Sequence, residues 1–118
     1  MHNIKELHVW NKAMDLALEV YNISANFPSD ERFGLISQTR RCAVSIASNI
    51  SEGAGRNTKG EFHQFLGFAN GSAYELQTQL LIAERLKFIS SDLTRDLLDS
   101  VDAIQKMIYK LQQSLKNS

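Results

Sequence analysis

Apolar residues recur along nearly the whole chain at spacings of three and four, and no stretch alternates apolar with polar residues in the β-branched, aromatic-rich manner of a strand. The spacing of Leu7, Trp10, Met14, Ala17 and Tyr21 predicts a helix over 9–26, ended by Phe27-Pro28-Ser29. Asp30 and Glu31 suit the positive end of a second helix over 35–54. Gly53-Ala54-Gly55-Arg56-Asn57 reads as a turn. In Thr58-Lys59-Gly60-Glu61 the Ser/Thr-x-x-Glu spacing lets two side chains satisfy orphan amides reciprocally, so a third helix covers 58–87 through Phe62, Phe65, Ala69, Leu76, Leu80 and Ala83. Ser90-Ser91-Asp92 supplies caps for a fourth over 92–115, with a seam of Leu97, Val101, Ile104, Ile108, Leu111 and Leu115. Four helices and short connectors predict an all-α, antiparallel up-down-up-down four-helix bundle, a single domain over 1–118.

Two of these helices carry more apolar surface than one stripe. Beside Trp10, Met14, Ala17 and Tyr21, the first helix has Val9, Ala13, Leu16, Val20 and Ile23 at spacings of four and three, centred roughly 100–120° away. One reading is a broad core face serving two neighbouring helices; the other is surface left for self-association. The third helix repeats it with Phe68, Ile82 and Leu86, interleaved with Ser72, Glu75 and Gln79. Soluble monomers avoid large contiguous apolar patches, so Val9, Ala13, Leu16, Val20, Ile23, Phe68, Ile82 and Leu86 are the expected subunit interface of a self-assembling protein.

Composition narrows the function without naming it. The 118 residues are 43% hydrophobic and 22% charged, as in soluble globular domains. No apolar run reaches membrane-spanning length, and the N-terminus lacks a signal-peptide plan, so a cytoplasmic location is expected. Thirteen basic and thirteen acidic side chains cancel, so net charge demands neither nucleic acid nor an anionic membrane. The distribution is uneven: residues 32–60 hold Arg32, Arg40, Arg41, Arg56 and Lys59 against Glu52 alone.

The second helix flanks its apolar face with a polar stripe of Gln38, Arg41, Ser45, Ser48/Asn49 and Glu52. With Ser72, Glu75 and Gln79 of the third helix this stripe forms either a solvated face or a buried network in which Arg41 pairs with Glu52 or Glu75. Such a network would fix register more than it adds stability. The run Phe27-Pro28, Glu31, Gly34-Leu35, Gln38, Arg41, Ser45-Ile46, Ser48-Asn49-Ile50, Glu52-Gly53, then Phe62, Phe65-Leu66, Gly71-Ser72, Glu75-Leu76 and Gln79-Leu80, resembles the four-helix-bundle proteins encoded by 23S rRNA intervening sequences. That family also includes the accessory variability proteins of diversity-generating retroelements. The resemblance covers almost the whole chain. It implies a ring-shaped homopentamer and a shared structural motif of Gln38, Arg41, Ser45, Asn49, Glu52, Ser72 and Glu75. From the retroelement relatives it also implies nucleic-acid binding beside a reverse transcriptase.

Chemistry finds few candidates. His2, His8 and His63 are scattered, and the inward Glu-x-x-His motifs of bundle di-iron sites are missing. Cys42 lies on an apolar face, where it reads as a small hydrophobe. Arginine beside Glu52 and Glu75 would hold these carboxylates ionised, unsuited to acid–base work near neutral pH. The connector at 53–60 lacks the Gly-Lys-Ser/Thr ending of a phosphate loop and follows a helix. No catalytic residue, cofactor or metal site is expected. Arg56 and Lys59 near the amino end of the third helix, with Arg40, are candidate phosphate contacts; without interleaved aromatics they would not read bases. The sequence thus predicts a non-catalytic helical scaffold or adaptor with an unidentified protein partner. The alternative is a nucleic-acid-binding accessory protein acting with a reverse transcriptase or RNA-processing partner.

Overall fold

The computed structural model describes residues 3–116, and among them every regular element is helical. Four long helices, α1 (His8–Ser24), α2 (Leu35–Ala54), α3 (Lys59–Arg85) and α4 (Ser91–Lys116), follow one another through short connectors, with single 3-10 turns at Ile4–Glu6 and Ser29–Glu31. Helix α2 packs against α1 and α3, and α4 completes the circuit against α3 and α1. The bundle measures 46 × 22 × 20 Å, a length nearly filled by α3 alone at ~1.5 Å per residue.

Side-chain chemistry sets the helix ends. Glu31 Oε1 accepts the N–H of Leu35 at 3.0 Å, so one of the two acids expected near α2 caps its first turn. At α3, Thr58 Oγ1 accepts the N–H of Glu61 (3.1 Å), while its hydroxyl donates to Glu61 Oε1 (3.0 Å). Glu61 therefore steadies the cap instead of returning to a backbone amide. Ser90 Oγ accepts from the Leu93 N–H to start α4. Helix α3 stops at Arg85, short of the expected Lys87, because Lys87 turns left-handed at φ 64°. The N–H of Phe88 then reaches Ala83 O and that of Lys87 reaches Glu84 O, both at 2.9 Å, the paired bonds of a Schellman ending.

One row from each helix fills the interior: Leu16 and Val20, Ile46 and Ile50, Leu66 with Leu76 and Leu80, and Leu97, Val101, Ile104 and Ile108, all essentially inaccessible. Ala43, Ala69 and Ala73 leave no side chain in the way of close approach. Gly53 does this most sharply, since a Cβ there would lie 2.7 Å from Phe65 Cβ.

This packing corrects the interface expected on α1. Val9, Ala13, Leu16 and Val20 are core residues, closed to a second subunit, and Ile23 is partly buried against that core. Helix α1 sits between α2 and α4, and the aliphatic row is the one aimed between those neighbours. The parallel row turns outward. Trp10 and Tyr21 each join a polar tip to an apolar ring, and Met14 has a flexible thioether, so all three tolerate a half-wet position.

Candidate functional site

The outward row of α1 meets a row of small residues on α2. Trp10, Met14, Ala17, Leu18 and Tyr21 face Val44, Ala47, Ser48, Ser51 and Glu52 across an open groove of about 590 Å³. Leu18 is 63% exposed, Tyr21 45% and Met14 39%. Its one charged lining residue, Glu52, is already held by Arg56 at 3.3 Å, so the groove offers apolar surface with little charge. Sequence periodicity treated most of this row as core and missed Leu18 and Val44. The usable signal was that the alternative row, Val9-Ala13-Leu16-Val20, is wholly aliphatic and regular.

The polar motif resolves into parts. Ser45 Oγ and Ser72 Oγ share a hydrogen bond of 2.9 Å between α2 and α3. Asn49 Nδ2 donates to Ser45 Oγ at 3.0 Å and to Ser45 O at 2.9 Å. Cys42 is buried beside them, and burial pushes its thiol up to about 11, reinforced by a hydrogen bond to and the charge of Glu75, against smaller lowering effects of Gln79 and Arg41. Gln79 is buried, and its Oε1 has no hydrogen-bond partner among the described residues. Gln38, Arg41, Glu52 and Glu75 are exposed. Glu52 pairs with Arg56 and not with Arg41, and no carboxylate lies within 4 Å of Arg41 among the described residues. Among the described residues Ser45, Asn49 and Ser72 are thus joined to one another, while Glu75 reaches Cys42 about one turn away.

Of the expected phosphate contacts, Arg40 stands apart from Arg56 and Lys59, which flank the α2–α3 connector. Arg40 Nε donates to Ser24 Oγ (2.8 Å), its Nη2 donates to Tyr21 O (3.1 Å), and its guanidinium lies 4.6 Å over the Tyr21 ring. It therefore ties α2 to the last turn of α1. Arg56 stands past the other end of α2, roughly 20 Å along the helix, paired with Glu52 and stacked 4.7 Å over Phe65. Lys59 is exposed and borders a shallow hollow of about 270 Å³ with Gly60, His63, Leu115 and Lys116. His8 is exposed at the start of α1, and His63 is half-buried on α3, its carbonyl accepting from Gln112 Nε2 at 3.2 Å; His2 lies outside the described residues. Among the described residues no three His, Cys, Asp or Glu side chains converge as metal ligands. No helix among them is long and apolar enough to cross a membrane.

On α3, Phe68, Ile82 and Leu86 are about half exposed, as their separate stripe implied. Phe68, Glu75 and Ile82 are spaced by seven residues, so they line one side of the helix with ~10.5 Å between successive members.

Comparison with known proteins places this architecture. A solved structure from Bacteroides thetaiotaomicron, described as a protein of unknown function from the S23 ribosomal protein family, superposes with a TM-score of 0.83 at 21% identity, covering 89% of this chain and 95% of that one. At that identity the likeness speaks for the fold. No curated protein matches the chain. Residues 5–110 match the sequence profile described as 23S rRNA-intervening sequence protein, and the chain belongs to that family.

Proposed function

We propose that the protein is a non-catalytic helical scaffold whose working unit contains several copies of the chain. The observation that carries this reading is the α1–α2 groove, where Trp10, Met14, Leu18, Tyr21 and Val44 leave a contiguous apolar surface in water beside a single, already paired charge. A second apolar line on α3 adds to the uncovered area. Surfaces of this kind mark interaction sites. The helices alternate in direction in this reading. Arg40 at the start of α2 meets the end of α1, Gly53 at the end of α2 meets Phe62 and Phe65 at the start of α3, and Gln112 near the end of α4 meets His63. The copies close into a ring, which family membership favours as a pentamer.

An accessory role on nucleic acid draws less support, because Arg40 and Arg56 are engaged within the chain and stand apart from each other. The deciding measurement is mass in solution. Light scattering and sedimentation at tens of micromolar should give a multiple of 13.3 kDa. A well-folded 13.3 kDa species across that range would refute the scaffold reading.

A further inference from the structure

We propose that Cys42, Glu75 and Gln79 form a binding site for a divalent cation of borderline softness, such as Zn2+, at the seam between α2 and α3. The 2.9 Å bond between Ser45 and Ser72 fixes how these two helices sit against each other. About one turn from it on α2 stands Cys42, and about one and two turns from it on α3 stand Glu75 and Gln79. The carboxylate of Glu75 and the amide of Gln79 both reach the Cys42 thiol. Glu75 and Gln79 are four residues apart, so they share one face of α3. Cys42 and Gln79 are buried, each 6% exposed, while Glu75 lies at the open edge. What points to a ligand is Gln79. Its Oε1 is buried with no donor among the described residues, and an amide acceptor buried unpaired is costly. A cation seated beside the thiol would satisfy it.

Thiolate, carboxylate and amide oxygen give three donors from two helices, the amide standing where no third His, Cys, Asp or Glu does among the described residues. With water in the fourth position they complete the tetrahedron that Zn2+ takes in open sites. The sulfur selects against Mg2+ and Ca2+, which take oxygen ligands. In the metal-free protein burial keeps the thiol protonated, so uptake displaces that proton to solvent. One thiolate and one carboxylate then offset the two charges of the ion. Arg41 also bears on the thiol. Its charge favours the thiolate but opposes the incoming ion, so the site holds metal less tightly than four cysteines would. The bonds among Ser45, Asn49 and Ser72 hold the two helices together one turn away.

The test titrates the full-length, chelator-treated protein with Cd2+, whose bond to a thiolate absorbs in the ultraviolet. One saturable equivalent per chain is expected, with a proton released, and Zn2+ should compete it away. Cys42→Ser should abolish the band. Glu75→Gln and Gln79→Leu keep the thiol and nearly the side-chain volume. Each should weaken binding about tenfold or more, no less than the loss of an outer-shell partner costs. Helical content and melting of every variant are checked without metal, and Gln79→Leu, which removes the orphaned acceptor, serves if Glu75→Gln does not fold. A wild type that gives no band in excess Cd2+ overturns the site. So does binding that either α3 variant leaves unchanged, since the thiol would then take the ion alone. Solution mass is read separately, so the scaffold reading stands or falls on its own.

Discussion

At the scale of single residues, the most informative positions are those whose neighbours are unusual for their type. Lys87 holds a left-handed conformation, φ 64°, to close the Schellman ending of α3. A side chain there costs about 1 kcal/mol relative to glycine. Lys87→Gly should therefore raise stability by roughly that amount, less some unfolded-state entropy, read as a melting temperature higher by a few degrees. Nothing in the local sequence announces the turn, because lysine is no helix stop; the backbone bonds from Phe88 and Lys87 decide it. Cys42 is the opposite case, since its place on the apolar side of α2 was readable and its inertness follows. Its thiol rises from 9.0 to about 11, chiefly through burial. The neutral form is thus favoured by folding: the contribution is complete below about pH 9 and is lost as pH rises through about 11. Alkylation by iodoacetamide at about pH 8 should be slow in the native protein and fast once urea unfolds it. Across the window from about pH 9 to about pH 11, Cys42→Ala should lose less stability than wild type.

At the scale of elements, helix–helix contacts rest on a few positions of close approach. Gly53→Ala would place a Cβ 2.7 Å from Phe65 Cβ and 3.0 Å from Phe62 Cδ1. The resulting overpacking costs ~1–3 kcal/mol, against ~1 kcal/mol gained in helix propensity. A net loss of about 1–2 kcal/mol in urea denaturation is expected, located at the α2–α3 contact. Register between α3 and α4 is pinned by Gln112 Nε2 on His63 O. Two turns further along α3 and two turns back along α4 come Asn70 and Gln105, whose Oδ1 and Nε2 are buried without partners among the described residues. One is an acceptor and the other a donor, so a double-mutant cycle with Asn70→Ala and Gln105→Ala should show favourable coupling of about 0.5 kcal/mol or more; zero coupling would mean that the two amides are satisfied separately. Element ends were legible wherever a capping side chain marked them, as at Thr58 and Ser90. Partners of polar residues were not: the same stripe that contains Ser45 and Ser72 left Arg41 and Glu75 outward, and spacing along one helix carries no distance to the next.

At the scale of the whole molecule, the bundle was legible and the identity of its uncovered face was not. Helix α1 has two apolar rows of similar strength, and which one faces inward depends on where α2 and α4 stand, a relation between helices that periodicity within one helix does not contain. The packing chose Val9, Ala13, Leu16 and Val20 and left Trp10, Met14, Leu18 and Tyr21 outside. That choice separates the consequences of changing two leucines that stand two residues apart, about 200° around the same helix. Leu16 is 1% exposed, so Leu16→Ala removes core packing and should cost about 2–5 kcal/mol, lowering the melting temperature of the protein whatever its state of assembly. Leu18 stands in the groove wall, so Leu18→Glu should leave the fold of an isolated copy within about 0.5 kcal/mol of wild type, as surface substitutions do. By setting a charge where the groove has none free, it should also bring the solution mass down toward 13.3 kDa. Thermal melts in dilute solution and light scattering at high concentration read the two effects independently. A Leu18→Glu protein that melts far below wild type under dilute conditions, or a Leu16→Ala protein that keeps its stability and loses its assembly, would reverse the assignment of the two rows and with it the face on which the copies meet.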